Sequence, residues 1–146
     1  MRLAIQIFLL ISTLFIGGLI YIGYRETNIL MFKWALSLKM ESIVKYIRVN
    51  TISKKTLPSW IIFSLPDGLW LFSCTSLLLL IWGNKINKKN MVWILLIPSF
   101  AILSEIAQGL GIIKGTFDFN DIISYIIGFL LAMLFFVNRK EIFRIK

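Results

Sequence analysis

A chain of 146 residues is one domain's worth of protein, and its mean hydropathy of +0.84, with 58% apolar residues, excludes an ordinary soluble domain. Its charges sit between long uncharged runs, the pattern expected when lipid is the solvent and charge is confined to the two aqueous faces. The net charge of +9 does not indicate nucleic acid, because the basic residues flank the apolar runs, as topology and attraction to anionic headgroups favour. With one cysteine and no histidine, the chain has no internal disulfide and lacks the commonest acid–base group and metal ligand. No cofactor and no metal are expected.

The first apolar run covers residues 3–24 and is interrupted by Gln6, Ser12 and Thr13. At 1.5 Å per residue it spans a hydrocarbon core of roughly 30 Å. Arg2 could open a signal peptide, but the run is too long and no small-x-small cleavage site precedes Tyr24-Arg25-Glu26. It reads as a retained helix. Between residues 28 and 46, Lys33, Ser37, Glu41 and Lys45 recur every four residues against a broad apolar face containing Trp34. That periodicity predicts an amphipathic helix lying in the headgroup region, with Lys39 snorkelling, the alternative being a solvated loop helix packed on its neighbours. Residues 48–55 read as a polar connector.

The second spanning run covers about 60–82, with Pro66 and Asp67 in its first third, and Cys74 reads as a small packing residue inside it. A short basic turn, 83–90, leads to the third run at 91–113, which contains Glu105 and Gln108. The linker 114–120 leads to a fourth run at 121–137. The expected fold is an all-α, single-domain integral membrane bundle of about four transmembrane helices over 1–146, with the amphipathic helix between the first and second.

Antiparallel packing decides which polar groups can meet. Asp67 starts the second helix on the side where the third ends with Glu105 and Gln108, and Asp118 and Asp121 follow in the next turn. All five converge on one leaflet and form the candidate ligand-binding set. An ionisable group in mid-membrane costs roughly 2.5–3.5 kcal/mol on insertion scales, so such groups face protein or water and usually carry function. Glu105 and Gln108, three residues apart, share a helix face. Asp118 and Asn120 also suit ordinary N-caps. Ser124, Gly128 and Ala132 form a small-residue stripe that suits close helix packing.

The segment Ser104-Glu105-Ile106-Ala107-Gln108, followed by Gly115-Thr116-Phe117-Asp118-Phe119-Asn120-Asp121 and then Gly128, resembles the signature of VanZ-like membrane proteins. That family places E-x-x-Q on one helix and an aspartate at the opening of the next. Leu65-Pro66-Asp67-Gly68 falls where the family often has an earlier aspartate. Two departures stand out. Lys114-Gly115 occupies the place of an arginine found in many members, and Ser124-Tyr125 that of an asparagine. A bidentate arginine contact would therefore become a lysine point charge or vanish. The resemblance implies a bacterial cell-envelope setting linked to glycopeptide-antibiotic resistance.

The leading expectation is a non-enzymatic protein of the bacterial cytoplasmic membrane whose acidic cluster binds a polar or cationic group. The expected partners are membrane lipid, a lipid-linked cell-wall precursor or a glycopeptide, and another membrane protein. Two alternatives are a structural subunit whose carboxylates meet a partner's basic residues, and an intramembrane enzyme holding a divalent cation on its carboxylates. With both termini cytoplasmic, the 83–90 turn and the basic tail obey the positive-inside rule and the acidic cluster faces out, although the 25–57 stretch then carries seven basic residues outward.

Overall fold

The computed structural model describes residues 2–27, 30–52 and 57–138. Among them every regular element is a helix: α1 (Arg2–Tyr24), α2 (Leu30–Ser37), α3 (Glu41–Ile52), α4 (Ser59–Phe63), α5 (Leu65–Ile81), α6 (Met91–Gly109) and α7 (Phe119–Phe136). Four segments are long and apolar enough to cross a membrane: Leu3–Tyr24, Ser59–Ile81, Met91–Gly109 and Phe119–Phe136. The second is 50% buried within the protein, against 11% to 17% for the others. It is therefore the central helix. It packs against α1 on one flank and α7 on another, and α6 packs on both α5 and α7.

The centre can be this tightly filled because its residues are small. Gly68, Ser73, Thr75 and Ser76 are all buried on α5. A Cβ at Gly68 would meet the Ser124 carbonyl oxygen of α7 at 2.7 Å, and one at Gly128 would collide with the Gly68 carbonyl. With lipid as solvent, helix association rests on close packing and interhelical hydrogen bonds rather than on hydrophobic burial. The stripe at Ser124, Gly128 and Ala132 supplies that packing, Gly128 and Ala132 being buried.

Interhelical hydrogen bonds secure the end away from the acids. The Gln6 amide donates to the Ser76 carbonyl at 3.0 Å and to Asn84 Oδ1 at 3.0 Å, and Asn84 Nδ2 donates back to Gln6 Oε1 at 2.8 Å. The Asn138 N–H donates to the Asn84 carbonyl at 3.0 Å, so the end of α7 meets the same turn. A level higher, Ser73 Oγ donates to the Leu10 carbonyl at 2.7 Å and lies 2.8 Å from Thr13 Oγ1, joining α1 to α5. The three polar interruptions of the first run therefore include two, Gln6 and Thr13, that bind α1 to α5.

Three departures from the sequence-based boundaries have local causes. The helix expected over 28–46 is two helices, α2 and α3, because Lys39 takes a left-handed conformation (φ 56°). Its N–H bonds to the Leu36 carbonyl and that of Met40 to the Ala35 carbonyl, the pairing that closes a helix at a left-handed residue. α3 then runs to Ile52, into the expected connector, and packs on α1, where Arg48 Nη1 donates to the carbonyls of Ile22 (3.0 Å) and Arg25 (2.7 Å) at the C-terminal end of α1. The expected start of that helix at residue 28, Lys54 and Lys55 of the connector, and the basic tail lie outside the described residues.

The third run stops at Gly109, short of residue 113, because Gly111 (φ 70°) closes α6 through bonds from Gly111 N–H to the Gln108 carbonyl and from Ile112 N–H to the Ala107 carbonyl. The second run is interrupted at Ser64, between α4 and α5, just before Pro66, whose ring nitrogen cannot donate to the preceding turn. Cys74 is a free, half-buried thiol.

Candidate functional site

The break at Ser64 and the N-terminus of α7 bring the acidic residues to one end of the bundle. Asp67 lies in the first turn of α5 and Asp121 in the first turn of α7, where backbone N–H groups and the helix dipole favour negative charge. Glu105 lies in the last turns of α6. Asp67, Glu105 and Asp121 sit within electrostatic reach of one another. Glu105 is 4% exposed and Asp121 9%, while the Asp67 side chain retains 19%.

Each carboxylate is incompletely satisfied. Glu105 Oε2 accepts one long bond, 3.3 Å, from the Asp118 N–H. Asp67 Oδ2 faces Arg25 Nη2 at 3.8 Å. Asp121 Oδ1 is buried with no hydrogen-bond partner. The Ser64 hydroxyl, buried at the helix break, lies beside the Asp121 carboxylate but outside hydrogen-bonding geometry, and it too is unpartnered.

Gln108 and Asp118 have other neighbours. The Gln108 amide packs on Gly115, in the space that a Cβ there would fill, and forms no hydrogen bond with the three carboxylates among the described residues. It braces the α6–α7 linker. Asp118 is the N-cap of α7, its Oδ1 accepting from the Asn120 backbone N–H at 2.8 Å and from Asn120 Nδ2 at 2.9 Å. Of the five residues singled out in the sequence, three therefore form the acidic cluster and two hold the linker against it.

Three further residues complete the site. Arg25, just past α1, is held by its ring contacts with Tyr21 (5.2 Å) and Phe63 (5.0 Å) and donates to the Phe63 carbonyl at 3.1 Å. Its guanidinium faces Asp67 and Asp121. Tyr125, one turn deeper than Asp121 on the same face of α7, is in electrostatic reach of all three carboxylates. Ser64 is the third. Arg25 was legible in principle, because an antiparallel α1 must end where α5 begins, as α6 does. Ser64 carried no such signal, since its burial follows from the break before Pro66.

Among the described residues, Asp67 and Asp121 face the Arg25 guanidinium, with Glu105 beside them, in a largely buried space, an arrangement that suits a bound cation. Among the described residues no three His, Cys, Asp or Glu side chains converge closely enough to hold a metal ion. The structure thus defines a multi-pass, all-helical membrane protein with an acidic cluster buried at one end of its bundle. The chain matches no family model, no curated protein and no solved structure.

Proposed function

We propose that this is a VanZ-like protein of the bacterial cytoplasmic membrane, with both termini cytoplasmic, that binds a cationic group at its outward-facing acidic cluster without turning it over. One observation carries the reading: Asp121 is nine-tenths buried and presents an unpartnered carboxylate oxygen to a site already holding Asp67 and Glu105. The Ser64 hydroxyl beside it is neutral and leaves the carboxylate charge uncompensated, so the site favours a group that supplies N–H donors and positive charge. A substituted ammonium of a headgroup, an envelope precursor or an antibiotic has the matching chemistry.

Thermal unfolding of the purified chain in nonionic detergent tests this. Ethylammonium chloride is titrated against sodium chloride at equal ionic strength. Saturation to about five times Kd corresponds to ~1 kcal/mol, a midpoint rise of a few degrees specific to ethylammonium. Asp121→Asn and Glu105→Gln should each reduce that rise. Equal responses to both salts, or full responses in both variants, would overturn the reading.

A further inference from the structure

The acidic cluster has an apolar neighbour. A groove of about 550 Å³ runs between α1, α5 and α7, floored by the close crossing at Gly68 and Gly128 and walled by residues that include Leu9, Phe72, Ile127 and Leu131. Its lining extends along α7 over residues 120–135, ~22 Å at 1.5 Å per residue. That exceeds the roughly 15 Å depth of one leaflet's hydrocarbon, so the groove has the length of a lipid tail. Its volume lies in the range of about 300–1,000 Å³ typical of ligand sites.

The groove is mostly apolar, and its polar end is informative. Ser64 and Asn120 line it there. Ser64 is 1% exposed with an unpartnered hydroxyl, and it lies beside the Asp121 carboxylate. Ser64 thus joins this end of the groove to Asp121, while the carboxylates themselves and Arg25 lie beyond its lining. Arg25 stands at the same end of the bundle, paired with Asp67.

We infer that this groove holds one acyl chain of an ethanolamine-type phospholipid, with its ammonium directed to Asp121 and Glu105 and its phosphate toward Arg25 and Ser64. Charge complementarity selects this occupant. A primary ammonium brings three donors to carboxylates that lack them, and a phosphate suits a guanidinium and a hydroxyl. The groove itself supplies little affinity, because lipid tails are as apolar as its walls. Its role is orientation: it points one chain so that the headgroup arrives at the carboxylates. This inference rests on the acidic cluster being a cation site, and adds to it the ligand class and the tail path.

The test uses the full chain in nanodiscs of choline phospholipid doped with an ethanolamine phospholipid carrying a photoreactive diazirine on its tail. Cross-links should concentrate on groove residues of α5 and α7. They should fall about tenfold when the same tail carries a choline headgroup, which lacks N–H donors, a difference of about 1.4 kcal/mol. Ile127→Trp, or Leu131→Trp if the first variant unfolds early, should displace them. Cross-links spread evenly over the outer faces of α1 and α6, or unaffected by both tryptophans, would overturn the groove. If the ethylammonium response of the wild type survives in that case, the acidic-site reading stands without it. Groove cross-links equal for both headgroups would overturn the ethanolamine assignment, and with no ethylammonium response the underlying reading falls too.

Discussion

Arg25 Nη2 and Asp67 Oδ2 lie 3.8 Å apart although 42 residues separate them, because α1 ends at the level where α5 begins. The pair is partly exposed and too long for a good hydrogen bond, so its direct contribution is modest. Its importance is as local charge balance: Arg25 also faces Asp121.

Replacing Arg25 with Gln should destabilise the protein by about 1–2 kcal/mol, through the lost bond to the Phe63 carbonyl and the uncompensated carboxylates. In an Asp67→Asn background the same change should cost less. A double-mutant cycle read by thermal unfolding in detergent measures the coupling, expected at about 0.5–1 kcal/mol. Strict additivity would mean the two side chains do not interact. Because Arg25 competes internally for the acids, Arg25→Gln should also strengthen ethylammonium binding.

Gly128→Ala places a methyl group on the Gly68 carbonyl, and Gly68→Ala places one against the Ser124 backbone. Either should separate α5 from α7 and lower stability by about 1–3 kcal/mol. Gly18→Ala is the control: nothing lies near its Cβ position, and alanine is favoured over glycine within a helix by about 1 kcal/mol. Unfolding midpoints should therefore move in opposite directions.

The reciprocal amide pair between Gln6 and Asn84 is the polar clasp of the other end. Gln6→Leu leaves the Asn84 amide and the Ser76 carbonyl without their partner and should cost about 1–2 kcal/mol. The cost should appear in the unfolding midpoint while the ethylammonium response persists, since the acidic residues lie at the opposite end. Loss of that response would show the two ends to be coupled.

Orientation is open to a direct measurement. In a Cys74→Ser background, single cysteines at Thr116 and Lys88 sample the two ends, and both positions are exposed. An impermeant maleimide on intact cells should label Thr116→Cys and spare Lys88→Cys if the acids face outward. The reverse pattern would turn the cluster inward, making a cytoplasmic ligand or partner the better assignment.

Hydropathy alone determined four spanning runs, an all-α fold and the pairing of acids from different helices, because lipid permits few backbone solutions and antiparallel order is set by short connections. Boundaries were less legible. The periodic pattern over 28–46 carries no mark of the break at Lys39, since lysine is an uncommon residue for a left-handed helix end. The expected end of α6 at residue 113 likewise overran the helix, although Gly111 is the residue type that a left-handed helix end favours.

Within the site, Glu105, Asp67 and Asp121 could be found by their cost in an apolar run. Which of the five candidates actually meet was decided by tertiary structure. Spacing placed Gln108 on the face of Glu105, but the linker turns at Gly115 and takes up its amide. Arg25, Ser64 and Tyr125 join the acids because α1, the break before Pro66 and the Gly68–Gly128 crossing bring them within reach. Sequence by itself determined where polar groups must avoid lipid, since that depends on composition along the chain. Tertiary structure decided their partners, because a partner is set by helix rotation and approach, which depend on contacts between distant residues.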